Sequence, residues 1–538
     1  MKVCGEAGDW KKALSLLEEM RAEGVAPNVI SYGTAIKACG NSKQWERVLS
    51  LLREMRAEGL NPDNRVYNSA IKACGDGGQL EHALALLTQM RSEGITPDAM
   101  LYTSVARAYG NSGQWEKAVT LLSEMRSDGV FPDASTCATI IKACGSGGQW
   151  EHALSLIRQM PTEGVTPSAA TYTSAISACR DSGQWQHALS LLGEMRSAGV
   201  PPDVIGYNSA ITACGNVGRW QNALFLLQEM RSEGLSPDVI SYSAAIKACG
   251  NGGEWRRAAS LLREMRAVGV EPNVISYTSA INACSDGGQW ETAMALLSEM
   301  RSEGITPDLI CYNSVIKACG EEGQWEHALF LLNQMKSEGV WPDVTSYNAA
   351  IAACANVGQW ERTLSLLREM WRDGVWPNVV SFSLAIKACG DEGQWETAAC
   401  GSAGQWEHAL SLLSELVSEG VSPDVITYNS AIAACGNGGQ WEHALALLTE
   451  MRAKGITPDA TTFGSSIKAC GDSGRWERAL SLLTEMRAEG VSPDVVSYNS
   501  AINACSDSGQ WEHALSLLKA MQADGISPDL TSYTSAIK

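Results

Sequence analysis

Seventeen cysteines and seven histidines in a 538-residue chain could in principle supply metal sites, disulfides or a thiol nucleophile. Their spacing argues against all three. No Cys-x-x-Cys pair occurs, so a zinc knuckle has no ligand frame. Fifteen cysteines fall at one position of a 35-residue period, as in Cys39, Cys74, Cys249 and Cys319. If each period is one packed layer of helices, equivalent positions lie about 10 Å apart, too far for a disulfide. Buried thiols in a reducing compartment are expected. The histidines (His82, His152, His187, His327, His408, His443 and His513) also share one position, after Trp-Glu, Trp-Gln or Leu-Glu. A catalytic or metal-binding histidine stands with carboxylate or thiol partners and does not recur once per period. No catalytic residue, metal or cofactor is expected. Of the 18 tryptophans, 15 open the second half of a period, where core packing is expected, while Trp341, Trp371 and Trp376 lie outside that register and should be partly exposed.

The period that positions these residues is clearest in Val425–Asp459, VITYNSAIAACGNGGQWEHALALLTEMRAKGITPD. Residues 1–28 form a partial unit, and ten units of 35 follow from 29 to 378. Residues 379–424 join the start of one unit to the end of another, 11 residues longer than one unit; a real deletion, a misassembled gene model and an irregular linker are the alternatives, and a real deletion should disturb the base register after the tenth unit. Three units span 425–529, and 530–538 begin one more. A period of this size with no other kind of sequence denotes a solenoid.

Each unit reads as two helices. Tyr428, Ala431, Ile432 and Cys435 make one apolar face, and Trp441, Ala444, Leu445, Leu448 and Met451 another. The Ser or Thr before the Tyr is the expected N-cap. Gly436-Asn437-Gly438-Gly439 is the expected turn, and Gly455 the C-cap, with Thr-Pro-Asp ending the helix. So short a turn makes the two helices antiparallel, and stacking of pairs buries both faces. In the first helix the second, fifth and ninth positions form a separate stripe, as in Ile240, Ser243 and Lys247, opposite the core.

No apolar run is long enough to span a membrane, and no small-molecule substrate is expected. The formal net charge of −19 disfavours a nucleic-acid partner unless the basic residues are concentrated on one face. The ninth position does concentrate them, in Lys37, Lys72, Arg107, Lys142, Lys247, Lys317, Lys387 and Lys468. Most Glu lies on the second helix. Asp76, Asp181, Asp286, Glu321 and Asp472 in the turns weaken the stripe, so modest, salt-sensitive affinity is expected.

A 35-residue helical hairpin with Tyr-Asn near its start and Pro-Asp at its end resembles the pentatricopeptide repeat family, in its P-type array, over essentially the whole chain. The tetratricopeptide repeat has a period of about 34 and a Leu-Gly pair not matched here. Trp at the seventeenth position and the fused segment depart from the family pattern. The resemblance implies an all-α fold: an α-solenoid, a right-handed superhelix of stacked antiparallel helix-turn-helix repeats. It implies a non-enzymatic, sequence-selective binder of single-stranded RNA, about one base per repeat. Its role would lie in RNA processing, stability, splicing or translation in a chloroplast or mitochondrion. RNA-processing proteins are further expected partners, and the chain itself is expected to be a monomer. Both ends fall inside a repeat, so a fragment is expected. A targeting peptide, or a catalytic C-terminal domain such as some members carry, would lie outside it.

By resemblance the base readers are the fifth and last residues of each unit. They are Asn68 with Asp98, Thr103 with Asp133, Thr173 with Asp203, Asn208 with Asp238, Ser243 with Asn273, Thr278 with Asp308, Asn313 with Asp343, Asn348 with Asn378, Asn429 with Asp459, and Asn499 with Asp529. Family preferences forecast G-U-A-G-U-(C/U) for the units from 169 to 378. Gly33, Ala138 and Gly464 give no forecast. Pro-Asp is also a common helix-entry pair, so the last residue could serve the turn alone. A protein scaffold holding an extended peptide in the same groove is the alternative. Thr278→Asn separates the two, since only an RNA reader has a base preference to shift.

Overall fold

The structure, a computed structural model, describes residues 9–390 and 405–537. Cys4, Cys400 and the middle of the 379–424 segment lie outside the described residues. The chain divides into two compact units, Met1–Ala283 and Cys284–Lys538. The described residues of both form helices and no strand, paired as hairpins of the predicted period.

In the first unit, Val204–Asn216 and Trp220–Ser232 form a representative hairpin. Val204–Asn216 also packs against the first helices of the repeats before and after it, Ala169–Asp181 and Val239–Asn251. In the second unit, Val425–Asn437 and Trp441–Ala453 repeat the arrangement. There Tyr428, Ala431, Ile432 and Cys435 are fully buried, as the spacing predicts. The second face differs. Leu447 is buried beside Ala444, Leu448 and Met451, while Leu445 is half-exposed. The fifteen cysteines among the described residues are all buried, and burial pushes the Cys249 thiol up to about 11.

Helix entry corrects the expected cap. The N-cap is the last residue of the preceding repeat: Asp424 accepts from the Thr427 backbone N–H at 2.8 Å, and Thr427, three residues into the helix, returns a bond to the Asp424 N–H. The Ser or Thr before the Tyr is thus the far member of a capping box. Helix exit follows expectation. Gly455 sits at φ +76°, and the Ile456 N–H closes onto the Met451 carbonyl at 3.0 Å. The inter-helix turn needs the same backbone region, and Lys43, at φ 59°, occupies it in the first complete repeat where glycine stands in the others. Lys43→Gly should therefore raise stability by about 1 kcal/mol, read as a shift in a chemical-denaturation midpoint.

The tryptophans are not core residues. Among the described residues, those opening the second helices are half-exposed, and Trp511 is 63% exposed. Each of the seven histidines packs, tilted, against the tryptophan of the repeat before it, for example Trp115 with His152 at 5.0 Å and Trp406 with His443 at 5.1 Å. The indole also covers the following turn, where a Cβ on Gly147 would lie 2.5 Å from Trp115. A flat ring laid over the next layer, rather than into its own, explains why the position is aromatic. Trp341 and Trp376 are exposed, and Trp371 packs edge-on against Phe382.

A polar latch also joins successive repeats. The Tyr67 hydroxyl takes a bond from Arg56 of the preceding repeat and donates to Glu93 of its own at 2.6 Å, while Arg56 meets Glu93 at 2.9 Å. Burial and the Glu93 bond push Tyr67 up to about 12. Tyr312 with Arg301 and Glu338, and Tyr498 with Arg487 and Asp524, repeat the latch in the second unit. In the first unit it is interrupted where Cys137 replaces the tyrosine and Pro161 the arginine. Pro161 lacks the N–H that a continuing helix needs, and the second helix there closes as a 3-10 turn, Met160–Glu163.

The described helices on either side of residues 391–404 pack as those of a regular repeat do. Val379–Gly390 packs against Gln405–Ser418 as its second helix and against Val425–Asn437 as the next first helix. Asn437 reaches the Gly390 carbonyl at 2.6 Å, as Asn251 reaches Gly215 at 2.7 Å between regular repeats. Val379–Gly390 and Gln405–Ser418 thus pair as the helices of one repeat do.

Candidate nucleic-acid interface

The stripe of second, fifth and ninth positions is split by depth. The second residues stand in solvent: Ile205 is 62% exposed, Ile240 60% and Ile426 65%. The basic residues Lys37, Lys72, Arg107, Lys142, Lys247, Lys317, Lys387 and Lys468 are exposed. The fifth residues are not opposite the core, as expected, but half-buried or buried between neighbouring first helices; Asn208 retains 7% exposure. They follow the tyrosine position by one residue, and several hydrogen-bond the third residue of the next first helix, as Asn313 does Ser346.

That depth brings them to the last residues. Asn68 donates its amide to Asp98 at 2.8 Å, Asn208 to Asp238 at 3.0 Å, Asn313 to Asp343 at 3.3 Å, Asn429 to Asp459 at 3.1 Å and Asn499 to Asp529 at 3.1 Å. Asn348 donates to Asn378 at 3.3 Å, and Thr173 to Asp203 at 3.4 Å. Thr103 and Ser243 reach their last residues through an intermediary. Thr103 meets Thr136 at 2.9 Å, and Thr136 bonds Asp133; Ser243 meets Ser276 at 2.8 Å, and Ser276 bonds Asn273. Thr278 donates to the Val274 carbonyl, and Asp308 caps the helix at Cys311. A further pair, missed in the sequence, belongs to the long segment: Ser383 meets Thr427 at 2.8 Å, and Thr427 bonds Asp424. Subtracting the 11 extra residues from the period would have found it.

The last residue therefore has two tasks. Asp98 spends Oδ1 on the Leu101 N–H at 2.9 Å, capping the helix, and turns Oδ2 to Asn68. Burial opposes ionisation of Asp238, but the Ser241 backbone and hydroxyl and the Asn208 amide outweigh it and hold the carboxyl below its usual range. Asp343 and Asp459 are held down in the same way. These carboxylates are charged at neutral pH and act only as acceptors.

Turn acids neutralise part of the basic row, as expected. Arg107 pairs with Asp76 at 3.4 Å and Lys317 with Asp286 at 3.0 Å, while Lys247 and Lys468 rest on Asn216 and Asn437. Where the fifth residue is small, the groove opens. A cavity of about 460 Å³ lies beside Gly33, bordered by Lys37, Arg65 and Lys72, and one of about 610 Å³ beside Ala138.

Profiles of one family match nearly the whole chain. They are described as "Pentatricopeptide repeat domain" over residues 190–252 and 260–322, "PPR repeat family" over 134–181, 307–391 and 423–538, "PPR repeat" over 170–200, 240–270 and 398–421, and "Pentacotripeptide-repeat region of PRORP" over 1–156. No curated protein matches the sequence. Among solved structures, the pentatricopeptide repeat protein PPR10 from maize is 25% identical, with a TM-score of 0.59, covering 100% of this chain and 80% of that one. PPR10 in complex with an 18-nt psaJ RNA element is similar at 27% identity and a TM-score of 0.46, covering 100% of this chain and 85% of that one. The period, the hairpin and the profile matches agree: this chain belongs to the pentatricopeptide repeat family.

Proposed function

We propose that this protein binds single-stranded RNA sequence-selectively, about one base per repeat, and acts in organelle RNA processing, stability, splicing or translation by occluding the bound strand. The observation that carries the reading is the fifth-to-last pair, a donor and an acceptor fixed side by side. At Asn208 and Asp238 one amide hydrogen is spent on the carboxylate, leaving the second amide hydrogen and a carboxylate lone pair. Uracil presents a ring N–H flanked by two carbonyl oxygens, which such a pair complements. Cytosine places a lone pair at the same ring nitrogen, facing the carboxylate. With Asn378 as last residue the acceptor becomes an amide that can also donate, and the distinction relaxes to C or U. Thr or Ser at the fifth position is shorter and leaves room for a purine: Asp203 accepts from the N–H groups of guanine, and Asn273 can pair with the donor and acceptor edge of adenine. The exposed aliphatic second residues offer faces for the bases, and the exposed lysines meet phosphates.

Repeats 169–378 then read G-U-A-G-U-(C/U), and Ser383 with Asp424 adds a G. Gel-shift titration of that sequence within a longer oligonucleotide, against a scrambled one, tests the reading. The scrambled RNA should bind at least tenfold more weakly; equal affinities would remove the proposal.

A further inference from the structure

The third residue of a repeat sits under the reader of the repeat before it. Ser346 donates its hydroxyl to the Asn313 amide oxygen at 2.6 Å, Ser381 to Asn348 at 2.6 Å and Ser532 to Asn499 at 2.6 Å; Ser241 does the same for Asn208 and Thr462 for Asn429. Each hydroxyl also contacts the capping Asp or Asn, as Ser241 contacts Asp238 at 2.9 Å. Where the reader and the third residue both carry hydroxyls, as at Thr103, Ser243 and Ser383, the third residue is the link to the last one. The chemistry is one-directional. An ionised Asp can only accept, so the amide nitrogen of Asn must face it; the amide oxygen then needs a donor, and the third hydroxyl supplies one. Three of the readers are followed by a repeat with no hydroxyl at its third position. Leu101 lies beneath Asn68, whose amide oxygen is buried without a partner, Gly206 lies beneath Thr173, and Cys311 holds the third position in the repeat after Thr278.

We infer that the third residue, when it carries a hydroxyl, is a positioning residue for base selection by the preceding repeat: it fixes the amide so that a donor, not an acceptor, faces the base. The inference rests on the RNA reading proposed above. It makes two identical Asn/Asp pairs unequal, with Asn208 over Ser241 discriminating more sharply than Asn68 over Leu101.

The test uses the full chain and sets of four RNAs, each set varied at the base facing one repeat. Ser241→Ala should reduce the preference for U over C at the base read by Asn208 about fivefold, the worth of one hydrogen bond, and leave preferences at the other bases unchanged. Ser241→Thr, the arrangement Thr462 provides for Asn429, should restore it. Gly206→Ser should sharpen selection at the Thr173 base, and melting curves report whether each variant is folded. The inference is overturned if Ser241→Ala keeps the wild-type preference at that base, or weakens preference at all bases alike while RNA is still read. If the wild-type protein itself prefers no base at any repeat, the RNA reading fails first and this inference with it.

Discussion

Thr173→Asn is expected to convert the base chosen by its repeat from guanine to uracil and to leave every other position unchanged. Thr173 lies 3.4 Å from Asp203 and offers one short hydroxyl beside an acceptor. Asparagine fills the space left for a purine and adds an amide hydrogen next to the carboxylate, the arrangement at Asn68 and Asp98, where the third residue of the next repeat also carries no hydroxyl. A matched pair of hydrogen bonds is worth about 1–3 kcal/mol of discrimination, so the ratio of U to G binding at that position should rise tenfold or more. Competition titration with RNAs differing at the single base reads it directly. A groove built for an extended peptide would show no RNA preference before or after the exchange.

Replacing Asp238 in two ways should separate its two tasks. Asp238→Asn keeps an acceptor for the Ser241 N–H, as Asn273 and Asn378 do at 3.0 and 3.1 Å for their own helices. Stability should change little, while selection at the Asn208 base relaxes from U to C or U. Asp238→Ala removes the cap as well, costing about 1 kcal/mol of folding stability, and leaves the Asn208 amide nitrogen without its partner, so binding of any base there weakens. Denaturant melts and base-by-base titration of both variants check this. Equal stability of the Asn and Ala variants would show that capping contributes nothing.

Period, helix pairing and the buried Tyr-Ala-Ile-Cys face were legible because each is a local pattern that recurs along the thirteen full units, the four residues themselves in nine of them. What escaped was inter-repeat chemistry. The tyrosine reads as core from its spacing, yet its hydroxyl bridges Arg56 and Glu93 across a repeat boundary. The tryptophan reads as core from its apolarity, yet it is half-exposed and packs on the histidine of the following repeat. The fifth-to-last pairs could be placed by period, but not the hydroxyl beneath them, because residue 241 acts on residue 208 and nothing within one repeat connects the two. Ser383 was missed for a simpler reason: the longer segment offset the count to Asp424.

The shared duty of the last residue limits how such a protein can change its target over evolutionary time. On the RNA reading proposed above, every substitution there is screened twice, once by the ligand and once by the start of the next helix, and this chain uses only Asp, Asn and Ser at that place. Charged bases, aliphatics and aromatics are removed from the available alphabet before recognition is considered. Drift towards new targets must therefore run mainly through the fifth residue, or through gain and loss of whole repeats, which copy a working start signal along with each letter.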